Sequence, residues 1–140
     1  MLNPAIAGES WEQEFVALAK GNGLKARRVP GCRPHDAVVN GMKVQCKNIT
    51  SDADGRIRVG KSYGKGGTRR YKRTDFDVLA INFKGTRLFI PAQMLCGSRG
   101  RWPNSIVVRR YWRCRDNWAV FTTGGSCEEA IQQTLWEGCA

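Results

Sequence analysis

Apolar residues recur at helical spacing near the start of the chain, where Trp11, Phe15, Leu18 and Ala19 form one stripe. The spacing predicts a helix from about Glu9 or Ser10 to Lys20, closed by Gly21-Asn22-Gly23, which supply the left-handed positions a helix C-terminus favours. Leu24 to Val29 reads as an edge strand, and Pro30-Gly31 through Pro34 break the chain after it. The pattern then changes to alternation. Asn40-Gly41 between apolar runs marks a two-residue turn, because both central residues of a type I′ turn need positive φ. That turn pairs Val39 with Met42, Val38 with Lys43, Ala37 with Val44 and Asp36 with Gln45. Strand alternation then gathers Ala37, Val39, Met42, Val44 and Cys46 on a core face, and Asp36, Lys43, Gln45 and Lys47 around Val38 on the other.

Residues 51–73 are rich in Gly and bases and read as a mobile loop with a short strand at Ile57 to Val59. A second hairpin follows, Phe76 to Phe83 and Arg87 to Ile90 about a Lys84-Gly85 turn. Ile106 to Val108 and Trp118 to Phe121 read as further strands around a polar turn from Arg113 to Asn117. Ser126-Cys127-Glu128-Glu129 is a capping box, and it opens a C-terminal helix with Ala130, Ile131, Leu135 and Trp136 on its apolar side. No repeat or linker divides the chain. The expected fold is a single α/β (α+β) domain over residues 1–140, with a central mixed sheet, the hairpin, and a helix at each end.

With 41% hydrophobic and 25% charged residues, the 140-residue chain has the composition of a soluble globular domain. Its net charge of +11 changes that picture, because the charge is concentrated. Residues 55–73 carry eight Lys/Arg and no acid, whereas residues 1–54 carry seven against six. Arg56, Arg58, Lys61, Lys65, Arg69, Arg70, Lys72 and Arg73 alternate with Gly60, Gly64, Gly66, Gly67, Tyr63 and Tyr71. Such a block suits tracking a phosphate backbone: glycine allows close approach, and tyrosine stacks or donates to phosphate. The bland alternative is a basic loop with no specified partner. Arg109-Arg110 and Arg113-Cys114-Arg115 are a second candidate surface, although strand alternation would send neighbours to opposite faces. The six cysteines contain no C-x2-C pair and only one histidine accompanies them, which argues against structural zinc. MLNPAIAGES has neither the basic start nor the apolar run of a secretory leader, so an intracellular protein with reduced thiols is expected.

Asp36 followed by Gln45-Cys46-Lys47 on the next strand, behind Pro34-His35, resembles the active-site hairpin of the PD-(D/E)XK nuclease superfamily. The resemblance extends from residue 8 to residue 92. Gly8 to Phe15 is similar to the first helix of archaeal-type Holliday junction resolvases, with Glu12 in the acidic position. Tyr71 to Ala92, YKRTDFDVLAINFKGTRLFIPA, looks like a segment of small bacterial and homing members. The resemblance implies a restriction-endonuclease-like fold and Mg²⁺-dependent hydrolysis of DNA phosphodiester bonds, with Mn²⁺ able to substitute. It implies that Asp36, Glu12 and the backbone carbonyl of Cys46 hold the metal, that Gln45 assists, and that Lys47 acts at the attacking water. A homing-type or other site-directed endonuclease is the first expectation, a structure-specific Holliday junction resolvase the second. A catalytically inactive nucleic-acid-binding module on the same fold is the third, and a basic protein of a ribonucleoprotein lies beyond it. Cutting two strands implies a homodimer or higher symmetric oligomer, in a prokaryotic cytoplasm or nucleoid or from a phage.

Gln45 departs from the acidic form of the motif. An amide oxygen ligates without charge, so metal affinity falls unless another carboxylate enters. At about 100° per residue Glu12 shares its arc with Phe15, Val16 and Ala19, whereas Glu14 falls beside Trp11 and Leu18. Glu12 therefore ranks first and Glu14 second. Acids at a helix N-terminus are also favoured by the dipole alone, and the polar hairpin face could be merely solvated. His35 precedes Asp36 and invites assignment as a base, which the resembled chemistry does not need.

Overall fold

The computed structural model describes residues 4–30, 34–49, 55–59, 61–62, 68–69, 71–96 and 102–122. Helix α1 (Pro4–Gly21) leads into β1 (Ala26–Arg28), β2 (Ala37–Val39) and β3 (Met42–Ile49). The short strands β4 (Arg56–Arg58), β5 (Lys61–Ser62) and β6 (Thr68–Arg69) come next, followed by β7 (Val78–Phe83) and β8 (Thr86–Pro91). A one-turn helix α2 (Ala92–Leu95), β9 (Ser105–Val107) and 3-10 helices at Val108–Cys114 and Trp118–Phe121 complete it. The main sheet has the order β1-β2-β3-β7-β8, antiparallel throughout except for the parallel β3–β7 pair. It is the expected α+β fold with a central mixed sheet and an N-terminal helix. The expected C-terminal helix lies outside the described residues.

Both faces of the sheet are covered. On one, Trp11, Phe15 and Ala19 of α1 bury against Val39, Val44, Val78, Ala80 and Phe89. On the other, Leu79, Ile81, Leu88 and Ile90 pack against Ile57, Tyr71, Phe76, Trp102 and Ile106. This explains the unbroken apolar run Val78-Leu79-Ala80-Ile81: a central strand covered on both faces loses its alternation.

The first hairpin turns as its sequence dictates. Asn40 and Gly41 take φ of 50° and 82°, and the ladder reads Val39↔Met42, Val38↔Lys43 and Ala37↔Val44. Asn40 also anchors the turn: its Oδ1 accepts from Lys25 N at 3.0 Å, and its Nδ2 donates to Phe121 O at 3.0 Å. Pairing stops there. Asp36 N donates to Val44 O at 2.8 Å, so Asp36 does not sit in ladder register opposite Gln45 as the turn arithmetic predicts.

Other expectations are corrected. Helix α1 begins at Pro4, earlier than Glu9 or Ser10, since proline fits a first turn. The short strand expected at Ile57 to Val59 is present as β4 (Arg56–Arg58) paired with β9, whereas the β5–β6 pair lies where only loop is expected. Trp118–Phe121 is a 3-10 helix rather than a strand. A strand would send Val120 and Phe121 to opposite faces, whereas both bury in the α1 cluster. Arg109, Arg110 and Arg113 lie on the 3-10 segment Val108–Cys114, which kinks at Tyr111, and all three are exposed, so strand alternation does not separate them.

Asp77, just before β7, ties β3 to the start of α2. Its Oδ2 accepts from Lys43 N at 2.9 Å, its N donates to Lys43 O at 2.8 Å, and its carbonyl accepts from Ala92 N at 2.8 Å. Asp77→Ala strands the Lys43 amide and is expected to cost about 1–2 kcal/mol. Urea denaturation reads this directly, and an unchanged midpoint would contradict the clamp.

Candidate active site

Glu12 and Asp36 come together from different elements. On α1 the buried stripe of Trp11, Phe15, Val16 and Ala19 faces the sheet, which leaves Glu12 half-buried at its margin and Glu14 exposed. Glu12 is thus the helix acid turned toward the hairpin. Asp36 lies just before β2, and its Oδ2 accepts from Cys46 N at 2.9 Å. The Glu12 carboxyl lies close enough to Asp36 for its charge to bear on the Asp36 carboxyl.

Burial comes first among the causes that push the Asp36 carboxyl up to about 6; the charge and hydrogen bond of Glu12 add to it, against the Cys46 amide and Lys47. Lys47 projects from the opposite face of β3 to Cys46 and is half-buried. Its Nζ lies 5.9 Å from the centre of the Tyr71 ring. Burial lowers its ammonium below the ordinary lysine range, and the Asp36 charge opposes that shift. Burial also holds the Cys46 thiol well above its ordinary value, so its side chain is inert core and only its backbone faces Asp36. Gln45 is half-buried on the Lys47 face.

Two residues that sequence reasoning did not place belong to this neighbourhood. Arg28 at the end of β1 donates from Nη2 to Glu12 Oε2 at 2.8 Å, and Glu9 Oε1 lies 3.8 Å from the same nitrogen. Strand alternation carried a signal, since exposed Arg27 between half-buried neighbours turns Arg28 to the helix side. Tyr71 belongs by sequence to the basic block, but it is buried edge-on against Phe76 and Trp102. Burial raises its phenol well above the ordinary tyrosine range. It walls Lys47 instead of meeting a ligand from outside.

Among the described residues, no group of three or more His, Cys, Asp or Glu side chains is placed to hold a metal. The carboxylates that meet are the pair Glu12 and Asp36. In the basic block, Arg56 and Arg58 are exposed on β4, Lys61 and Arg69 are register partners in the β5–β6 pair, and Lys72 is exposed. Arg73 is half-buried, with its Nη1 3.7 Å from Asp77 Oδ1. Lys65 and Arg70 lie outside the described residues. No described helix is long and apolar enough to cross a membrane.

No protein-family model and no curated protein matches the chain. Among solved structures, a bacterial homing endonuclease, I-Ssp6803I, superposes with a TM-score of 0.60 over 94% of this chain and 99% of its own, at 19% identity. At that identity the likeness is one of fold.

Proposed function

We propose that this chain is a metal-dependent DNA endonuclease of homing or other site-directed type, within the PD-(D/E)XK superfamily. The observation that carries the reading is the meeting of Glu12 and Asp36 beside half-buried Lys47. The fold it shares with a bacterial homing endonuclease is further support.

The donor set fits a hard divalent cation, Mg²⁺ or Mn²⁺. Burial and the nearness of Glu12 leave the Asp36 carboxyl short of compensating charge, and oxygen donors suit these ions. Asp36 and Glu12 would hold the ion, with the Cys46 carbonyl and the Gln45 amide oxygen as uncharged donors. When bound, it supplies charge stabilisation of the transition state and acidifies a water. The chain's own residues do the rest. The Cys46 amide fixes the Asp36 carboxylate against the sheet. Lys47, desolvated beside Tyr71, orients the attacking water or neutralises developing charge.

Binding falls to the arginine surface. β4 presents Arg56 and Arg58 outward, and its partner β9 runs directly into the helix bearing exposed Arg109, Arg110 and Arg113. Replacing Arg56 and Arg58 together by Ala is expected to weaken duplex binding and to lower the salt slope by about 1–2. An unchanged slope would place the phosphate contacts elsewhere. Cleavage of both strands calls for a homodimer or higher symmetric oligomer.

The experiment is Mg²⁺- or Mn²⁺-dependent cleavage of linear duplex, supercoiled plasmid and four-way junction by the wild type, Asp36→Ala and Lys47→Ala. Cleavage untouched by either change sinks the assigned site, and preference for the junction shifts the role to a resolvase. The Arg28–Glu12 ion pair, together with uncharged Gln45, favours one second reading, a DNA-binding module without catalysis. Duplex binding with no cleavage in either metal would establish it.

A further inference from the structure

Arg28 has two acceptors within reach and engages them through one nitrogen. Its Nη2 is 2.8 Å from Glu12 Oε2 and 3.8 Å from Glu9 Oε1. Its Nε is enclosed with no partner among the described residues. The hold on Glu12 is therefore single-pronged, without the paired bonds that make an arginine–carboxylate fork tight. Glu9 and Glu12 are three residues apart on α1 and so neighbours on its surface. A small swing of the guanidinium passes Nη2 from one to the other. The two acids differ in surroundings, since the Glu12 side chain is 23% exposed and that of Glu9 62%.

Glu12 thus has two claimants. Without a metal it stands beside Asp36, and the Arg28 guanidinium offsets the Glu12 charge. A divalent ion would supply that balance itself and repel a guanidinium held against the same oxygen. We infer that Arg28 is the resident counter-ion of the metal-free site, holding Glu12 until a divalent cation takes that carboxylate and then passing to Glu9. This rests on the proposed metal site at Asp36 and Glu12. Arg28 acts here as a positioning residue that sets how readily the site loads, and the Arg28–Glu12 pair then marks a metal-free state instead of a dead site.

The test is Mn²⁺ binding to the full chain without DNA, followed by electron paramagnetic resonance of the free ion. Wild-type binding is expected, and Asp36→Ala is expected to remove it. Arg28→Gln is expected to bind Mn²⁺ about tenfold more tightly, a sign that mere loss of structure does not produce. Arg28→Lys, which keeps the charge but loses the planar donor, is expected to tighten binding by a smaller factor, about threefold. It decides by the same sign should Arg28→Gln fail to fold by circular dichroism. Glu9→Gln is expected to weaken binding in the wild type and to have little effect in the Arg28→Gln background, because its influence runs through Arg28. Equal or weaker binding by the Arg28 variants, with Asp36→Ala still inactive in binding, overturns the counter-ion role and leaves the metal site standing. Wild type that binds no Mn²⁺, or Asp36→Ala that binds it undiminished, overturns both.

Discussion

Asp36→Asn is expected to stabilise the metal-free protein at pH 8 while removing its cleavage of DNA. The Asp36 carboxyl is pushed up to about 6 from an ordinary 3.8, with burial the largest cause. A carboxyl whose pKa is raised by folding contributes its stability fully below the unfolded value and loses it as pH rises through the folded one. The difference amounts to at most about 3 kcal/mol, and less after solvent screening. Asparagine keeps an oxygen for the Cys46 amide and never ionises. Its advantage over the wild type should therefore be small at pH 4, grow as the pH rises toward 6 and level off above it. Urea denaturation in the presence of a chelator measures this, and a variant less stable than the wild type at pH 8 would contradict it. Added Mg²⁺ should raise the wild-type midpoint and leave that of Asp36→Asn in place. Cleavage should fall by about 100-fold or more, since the remaining amide brings no charge to the metal.

Lys47→Met should separate catalysis from folding. Methionine nearly matches the length of the lysine stem and removes a charge that burial already disfavours. The folded protein should be no less stable, and duplex affinity should change little, because Lys47 lies against Tyr71 and not on the outer arginine surface. The rate of cleavage should nonetheless fall by about 10²–10⁴, the usual contribution of a positioned proton-transfer or charge-neutralising group. Single-turnover cleavage at saturating enzyme isolates that step. A Lys47→Met enzyme cutting at the wild-type rate would remove Lys47 from the chemistry, whatever became of Asp36.

Locally encoded features were the legible ones. Asn40-Gly41 admits few turns, and the pairing of the next three residue pairs follows from it. The arc of α1 ranked Glu12 over Glu14 because the apolar stripe alone orients a surface helix. Features set by distant contacts were not legible. Asp36 leaves the ladder because its amide meets Val44 O and its carboxylate meets the Cys46 amide, a competition that turn arithmetic does not contain. Trp118–Phe121 is too short for its period to distinguish strand from 3-10 helix, and its form follows from packing on Phe15 and Phe89. Tyr71 carries the composition of its basic neighbours but the environment of Phe76 and Trp102. The pairing of Arg28 with Glu12 depends on where β1 joins the sheet relative to α1, and the break at Pro30 to Pro34 conceals that.

Glu12 and Asp36 are expected to hold one divalent metal between them. A crystal soaked in Mn²⁺ and measured at the manganese absorption edge tests it most directly. An anomalous peak held by Asp36 and Glu12, with the Arg28 guanidinium moved toward Glu9, is the expected result. A peak elsewhere, or none at this pair in a protein that cleaves DNA with Mn²⁺, would contradict it.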